Sequence, residues 1–264
     1  AQTLNNLGLL NADRGQLTTA EDYYQRALTI QEKLAPQSHE VAKILNNLGL
    51  VVREQGDAAA AEAYYRRALQ ISEQLAPESR NTALNLGNLG LIVNERGNPE
   101  TARQLQERAL AIRQKQAPGS IAVAENLNNL GTLAMERQDF DSAERYLTGA
   151  LQIREKLAPG TSAEASSLHE IGTLHKRMGH SDQALSFYRR AVESLEAQKG
   201  RLGGGSEAAE SFAAKYADFY RDLVAQQIRN NENAAAFHSL ERFRARSLLN
   251  LLAEKDLDFS KDAA

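Results

Sequence analysis

Small and apolar residues recur at helical spacing and predict pairs of amphipathic helices along most of the chain. In the first copy, Leu4 and Gly8 lie on one side of a 3.6-residue helix, and Ala20, Tyr24 and Ala27 lie on one side of a second helix. The same pattern returns at intervals of 41 residues, most clearly at Gly8, Gly49, Gly90, Gly131 and Gly172. A unit copied in this way can bury its apolar face only against its neighbours, so the chain is predicted to stack five helical hairpins.

The turns between the predicted helices repeat as well. The first helix of most copies is expected to end at a glycine in the left-handed conformation, at Gly15, Gly56, Gly97 and Gly179. The fourth copy has Gln138 at this position, so we expect a different turn there. The second helix is expected to end at a proline, and the next helix to begin at a hydroxyl N-cap two residues later. These pairs are Pro36 and Ser38, Pro77 and Ser79, Pro118 and Ser120, and Pro159 and Thr161.

The positions of Leu4, Leu7, Gly8, Ala20, Tyr24 and Ala27 resemble the signature of the tetratricopeptide repeat (TPR). That family's unit has about 34 residues, and the extra seven amount to about two helical turns. The longer unit and the Asn-Asn-Leu-Gly and Arg-Ala-Leu runs are similar to the kinesin-light-chain subclass. The resemblance implies an all-α fold, a right-handed superhelical solenoid of antiparallel helix hairpins, over residues 1–198.

The repeat predicts the domain organisation. Five repeats span 1–198, and a glycine-rich loop follows at 199–206. We expect a C-terminal capping helix pair over 207–254, with helices at about 207–230 and 233–254, and then a tail at 255–264. Ala236, Leu240 and Phe243 indicate a degenerate sixth second helix, since terminal repeats are expected to be atypical.

Composition and charge disfavour or exclude several classes of function. The net charge is −3 with 25% charged residues, which disfavours nucleic acid or an anionic membrane as the main partner. The chain has no cysteine, so disulfides, cysteine-ligated zinc and cysteine nucleophiles are excluded. The five histidines show no metal spacing, and no catalytic constellation or phosphate loop stands out. We therefore expect no enzyme activity, no cofactor and no metal, and the lack of a long apolar run or signal peptide favours a cytoplasmic location.

The candidate site is a series of asparagines that the helical wheel places opposite the buried side of the first helices. In the resembling family, first helices line a concave groove, where a ladder of amides could hold an extended peptide backbone. The series consists of Asn5, Asn6, Asn46, Asn47, Asn88, Asn128 and Asn129. Further groove candidates are Leu9, Leu50, Leu91, Arg53, Asn94, Met135 and Lys176. Two alternatives remain open: the amides bond to a neighbouring helix and order the stack, or they are remnants of duplication.

Two charged series accompany the amides. Arginines recur on the second helices, where a solvated convex face is expected, at Arg26, Arg67, Arg108 and Arg190. Acidic residues recur near the ends of the first helices, where the helix dipole disfavours them, at Asp13, Glu54, Glu95 and Glu136. These acids would either pair with the arginines that follow them or face a basic partner.

The run 240–252 carries a second resemblance, to the helix that joins TPR arrays to a CHAT domain, the caspase-like peptidase module of many bacterial proteins. The histidine and cysteine of such a domain would lie beyond Ala264. The alternative is an ordinary capping helix. We expect a non-catalytic interaction module that binds a peptide or protein segment, as the sensor part of a CHAT-type protein. A structural scaffold that uses lateral or end-to-end contacts is the alternative.

Overall fold

A computed structural model of the chain describes residues 1–202 and 216–254, with side chains over 1–198 and 216–243, and these residues form twelve α-helices. The helices are α1 (Gln2–Asp13), α2 (Leu17–Leu34), α3 (His39–Glu54), α4 (Ala58–Leu75), α5 (Arg80–Glu95), α6 (Pro99–Gln116), α7 (Ile121–Glu136), α8 (Phe140–Leu157), α9 (Ser162–Arg177), α10 (Ser181–Leu202), α11 (Ala217–Arg229) and α12 (Asn233–Glu254). The chain divides into two compact units, residues 1–133 and 134–264.

Each unit is built from helical hairpins that pack on their neighbours in sequence. In the first unit, α1 pairs with α2, α3 with α4, and α5 with α6, while α2 contacts α3 and α4 contacts α5. In the second unit, α9 pairs with α10 and α11 with α12, while α8 contacts α9 and α10 contacts α11. The predicted all-α fold of repeated helix hairpins is confirmed.

The predicted helix ends are confirmed. The second helices end two residues before Pro36, Pro77, Pro118 and Pro159. The hydroxyls of Ser38, Ser79, Ser120 and Thr161 accept hydrogen bonds from the backbone N–H three residues later, as N-caps do. The four turn glycines have φ between 72° and 93°.

The turn at Gln138 differs from the expectation. Gln138 has φ 61°, in the same left-handed region as the turn glycines. Asp139 N–H also bonds to the Ala134 carbonyl, as Asp57 N–H bonds to Val52 in the second repeat. The expected different turn is therefore wrong: the hairpin geometry imposes this conformation, and glutamine adopts it against its steric preference.

The repeated glycines of the first helices lie against a side chain of the second helix. A Cβ added at Gly8 would lie 2.6 Å from the ring of Tyr24, and a Cβ at Gly49 would lie 2.6 Å from the ring of Tyr65. Both tyrosines are 1% exposed, so their rings are fixed in the core. The glycines therefore allow the two helices of a hairpin to approach closely.

Helices α11 and α12 form a sixth hairpin in the register of the other five. Ala236 is 4% exposed at the position of Ala184, but it follows Ala184 by 52 residues instead of 41. Helix α12 matches the predicted range 233–254, and α11 begins within the range predicted for its helix. Helix α10 continues to Leu202, so residues 199–202 of the expected glycine-rich loop are helical; one helical glycine costs only about 1 kcal/mol. Residues 203–206 of that loop, 207–215 of the next expected helix, and the tail 255–264 lie outside the described residues.

Candidate functional site

The asparagine series joins the first helices of neighbouring repeats in the first unit. Asn47 Nδ2 on α3 donates to Asn5 Oδ1 on α1 at 3.0 Å, and Asn88 Nδ2 on α5 donates to Asn46 Oδ1 on α3 at 2.7 Å. In both pairs the donor follows the acceptor by 42 residues, so one register links α1 to α3 and α3 to α5. We call these two pairs the amide ladder.

Two asparagine side chains of the amide ladder are more buried than a helical wheel of their own helix predicts. Asn5 is 3% exposed and Asn46 is 9% exposed, whereas Asn47 and Asn88 are half-buried and Asn6 is exposed. The expectation of exposed amides is therefore wrong for Asn5 and Asn46. The helical wheel places them away from their own hairpin, but the first helix of the next repeat covers that side.

Each ladder pair keeps hydrogen-bonding capacity after the repeats are joined. In Asn46 the oxygen accepts from Asn88 while Nδ2 makes no hydrogen bond to any described residue, and in Asn47 the nitrogen donates to Asn5 while Oδ1 accepts none. Asn5 likewise uses its oxygen and not its nitrogen. Since an amide group offers two donors and an acceptor with two lone pairs, each junction retains at least one donor and one acceptor.

A cavity of about 340 Å³ lies beside the amide ladder at the α1–α3–α5 surface. Asn46 and Asn47 line this cavity together with Lys43, Leu84 and Asn85. Asn85 Nδ2 donates to the Ala68 carbonyl at 3.2 Å, so this side chain is held by its own polar contacts. The cavity combines amide donors and acceptors with the charged side chains of Lys43 and Glu40 and with the apolar side chain of Leu84, which is 41% exposed. This mixture suits a peptide segment.

Sequence reasoning missed Lys43 and Leu84. Each lies four residues before an asparagine of the series, Lys43 before Asn47 and Leu84 before Asn88. Residues four apart share a helix face, so this spacing is the signal that identifies them.

Arg53 and Glu95 link α3 to α5 at the other end of the helices. Arg53 Nε donates to Glu95 Oε1 at 2.9 Å, again across 42 residues. This hydrogen bond raises the pKa of Arg53. Arg53 was a groove candidate; here it is half-buried and bonds between repeats. Asn94, beside Glu95, is also half-buried.

The amide ladder stops at the third repeat, because Gly87 stands where the first, second and fourth repeats have an asparagine. Asn129 therefore has no ladder acceptor, and its Nδ2 lies 3.5 Å from Gln106 Oε1. That oxygen also accepts from Asn126 Nδ2 at 2.5 Å, while Gln106 Nε2 donates to the Gly87 carbonyl at 2.8 Å. Asn128 and Asn129 are half-buried. A buried polar cluster thus replaces the amide ladder here.

In the second unit, the equivalent junction is made by a histidine, a lysine and an aspartate. His169 Nε2 lies 2.9 Å from Asp222 Oδ2, and Lys176 Nζ lies 3.5 Å from Asp222 Oδ1, so both residues of α9 bond to α11. The His169 ring stacks on Phe219 with centroids 4.3 Å apart. Burial lowers the pKa of His169, against the opposite effect of Asp222. Met135 is 2% exposed, so its expected place in a groove is wrong: it packs in the core with Leu147 and Leu174.

Most arginines of the second helices are paired between repeats. Arg67, Arg108 and Arg190 each bond to a glutamate of the preceding second helix, whereas Arg26 pairs with Asp22 of its own helix. These arginine side chains remain about half exposed, so the face is solvated as expected and also carries ion pairs between repeats. Three pairs lie in equivalent positions: Arg67 with Glu32, Arg108 with Glu73 at 2.6 Å, and Arg190 with Glu155 at 2.6 Å. Arg242 and Glu196 repeat the pair in the sixth hairpin.

Within the described parts of the chain, no group of three His, Asp or Glu side chains is placed to hold a metal ion. None of the helices in these described parts has both the length and the apolar character that a membrane-spanning helix needs.

Comparison with solved structures finds the same architecture. BtubC (BKLC) from P. vanneervenii has a TM-score of 0.70 and 19% identity, over 88% of this chain and 91% of its own. The nearly identical TPR-like repeats of a putative kinesin light chain from Podosopora anserina give 0.64 and 17%, over 76% and 96%. A Rap protein complexed with competence and sporulation factor gives 0.66 and 16%, over 94% and 74%. At these identities the likeness shows the fold alone.

Comparison with curated proteins found no match. The family model described as tetratricopeptide repeat matches residues 1–74, 40–115 and 121–197, which together cover most of the chain. This fold is typical of protein–protein interaction modules. The 41-residue period, the glycine-on-tyrosine hairpins and the family match agree, and the chain belongs to the tetratricopeptide-repeat family.

Proposed function

We propose that the first unit binds an extended segment of a protein or peptide on the α1–α3–α5 surface. The observation that carries the proposal is the unused donor and acceptor at each ladder pair, since an extended backbone offers one N–H and one C=O per residue. The cavity of about 340 Å³ beside Asn46 and Asn47 gives room for side chains. The complex of a structurally similar Rap protein with competence and sporulation factor supports a partner of this kind.

The test must distinguish a loss of ligand binding from a loss of the contacts between repeats. Replacement of Asn46 and Asn47 by alanine would also break the amide ladder and lower stability, so an isosteric change is sharper. Asn46→Asp retains the oxygen that accepts from Asn88 and replaces the free Nδ2 donor with an anionic oxygen. The control is Asn98→Asp, which adds the same charge at the N-cap of α6, where aspartate and asparagine serve equally well.

The probe is a displayed library of random twelve-residue peptides selected on the wild-type protein. The proposal predicts that enriched peptides lose about ten-fold or more in affinity to Asn46→Asp, as expected when a bound polar group loses its partner. The same peptides should bind Asn98→Asp as they bind the wild type. Equal binding to both variants, or no enrichment at all, would refute the proposal.

In the full-length protein, the array acts as the sensor or recruiting part of a CHAT-type peptidase. The support is the resemblance of the run 240–252, of which α12 includes every residue. Sequencing of the reading frame after Ala264 tests this part, followed by a peptidase assay of the longer chain with and without a selected peptide. A different downstream domain would refute it.

A second candidate function is a scaffold that associates through the sixth hairpin. An apolar cavity of about 410 Å³ lies between α11 and α12, lined by Val224, Ile228 and Leu240. Ile228 is 55% exposed there. Light scattering over a range of concentrations distinguishes the two candidates: a rising mass that Ile228→Ser abolishes favours the scaffold.

A further inference from the structure

Three leucines form a row on the α1–α3–α5 surface. Leu9, Leu50 and Leu91 occupy the same position in three consecutive first helices, each three residues after an asparagine of the series. Leu9 is 49% exposed, Leu50 is 41% exposed and Leu91 is half-buried. Helix α3 is flanked by α1 and α5, so the exposure of Leu50 does not come from the end of the array. Single exposed leucines are ordinary, but three in register form a continuous feature, which we call the leucine row.

The leucine row and the amide ladder cover the same three helices. The fourth and fifth repeats have Thr132 and Thr173 at the position of the leucines. The amide ladder stops at the same place, since Gly87 removes the acceptor that Asn129 would need. Two independent features thus define a surface three helices wide. Its width sets the length of the ligand.

The spacing of the helices selects the conformation of the ligand. The amide ladder holds α3 beside both α1 and α5, and packed helices lie about 8–10 Å apart. A polyproline II peptide advances about 3.1 Å per residue and has three residues per turn, so every third side chain faces the same way about 9 Å further on. A β-strand puts residues i and i+3 on opposite faces. Of these two extended forms, the polyproline II form is the one that presents one side chain to each leucine.

Acidic side chains at the helix ends provide a second determinant of ligand specificity. Asp13 and Glu54 are exposed at the C-terminal ends of α1 and α3, one turn beyond Leu9 and Leu50, and neither forms an ion pair with a side chain that the structure describes. A helix C-terminus already carries a partial negative charge, so this edge of the surface favours cations. A ligand whose second column of side chains is basic would complement it.

We propose that the α1–α3–α5 surface recognises a polyproline II segment of about seven residues, with a leucine-sized apolar side chain at every third position and basic side chains in an adjacent column. This inference rests on the proposed function, because it names the class of peptide that the same surface binds. The leucine row receives the apolar column, the amide ladder bonds to the backbone, and Asp13 and Glu54 face the basic column.

The test compares capped peptides of equal composition by fluorescence polarisation. The probe is Leu-Lys-Pro-Leu-Lys-Pro-Leu, and its control is the permuted Leu-Leu-Lys-Pro-Lys-Pro-Leu, which breaks the spacing of three. The probe should bind at least about ten-fold more tightly, since the permuted peptide leaves one or more leucines unburied. Replacement of both lysines by glutamate should weaken the binding of the probe by about three-fold or more.

A pair of variants locates the contact. Leu50→Ser should weaken the binding of the probe by about ten-fold, whereas Leu75→Ser should leave it unchanged, because Leu75 is 42% exposed on a second helix, away from this surface. Two results would overturn the inference: equal affinity for probe and permuted peptide, or equal effects of the two variants. If library peptides bind in an Asn46-dependent manner while the probe does not, the inference fails and the proposed function stands.

Discussion

A methyl group added at Gly49 or at Gly87 tests how the hairpins are packed. Both glycines lie inside first helices, where alanine is favoured over glycine by about 1 kcal/mol. A Cβ at residue 49 would lie 2.6 Å from Tyr65 Cε1 and 2.8 Å from Cδ1. A Cβ at residue 87 would find its nearest atom, Arg113 NH2, at 3.8 Å, which is an ordinary contact.

The two substitutions therefore differ only in the steric contact that the added methyl group makes. Gly87→Ala should stabilise the protein by about 1 kcal/mol. Gly49→Ala gains the same helix preference, but it forces the buried Tyr65 ring and the α3–α4 hairpin apart by close to 1 Å, which costs about 1–3 kcal/mol. The difference between the two variants removes the helix preference and leaves this steric cost. Gly49→Ala should be the less stable of the two by about 1–3 kcal/mol.

The assay is urea unfolding followed by circular dichroism at 222 nm, with a double-mutant cycle on Tyr65. The fourth repeat has Leu147 at the position of Tyr65, so Tyr65→Leu is a substitution that this fold accommodates elsewhere. In the Tyr65→Leu background, Gly49→Ala should become neutral or stabilising, because the ring edge is absent. The same destabilisation in both backgrounds, or destabilisation by Gly87→Ala, would refute the steric explanation.

Three further predictions follow from other contacts. His175 is 4% exposed and stacks on Phe187, and burial lowers its pKa. Its stabilising contribution is therefore present above pH 6.5 and is lost as the pH falls. The melting temperature of His175→Leu should fall less than that of the wild type between pH 8 and pH 5. Gln138→Gly should stabilise by about 0.5–1 kcal/mol in urea unfolding, because φ 61° no longer strains a side chain; a loss of stability would contradict this. A double-mutant cycle on the exposed Arg108 and Glu73 should give a coupling of about 0.5 kcal/mol that 1 M salt removes.

Most of the hairpin could be predicted from sequence because its determinants are local. Glycine after a helix, proline beyond the next, and a serine two residues later act within one turn of the backbone, so their spacing identifies the helix ends without tertiary information. The pairing of Gly49 with Tyr65 was predictable as well, since a mid-helix glycine at a fixed phase indicates a close contact. Gln138 shows the limit: the hairpin required the left-handed conformation even where the residue disfavours it.

Bonding of the asparagines to a neighbouring helix was one of the alternatives that the sequence left open, and the amide ladder agrees with it. Which asparagines pair could not be predicted, because this depends on the stagger between repeats. A helical wheel locates Asn46 relative to its own hairpin, and the exposure of that side is decided by a helix 42 residues later. The same reason applies to the pairing of Arg108 with Glu73. Ala236 and its neighbours predict a degenerate sixth repeat, although its spacing of 52 residues from Ala184 departs from the 41-residue period.

The inter-repeat contacts of the first unit have a mechanical consequence. The amide ladder and the arginine–glutamate pairs each join a repeat to the next one only, so no described side-chain bond in this set spans two junctions. Strain applied at one junction therefore need not disturb another, and small rotations can be shared among successive links, as in a repeat array whose energy is a sum of nearest-neighbour terms. Small adjustments between adjacent repeats can therefore add up along the surface and change its length slightly to match a bound segment.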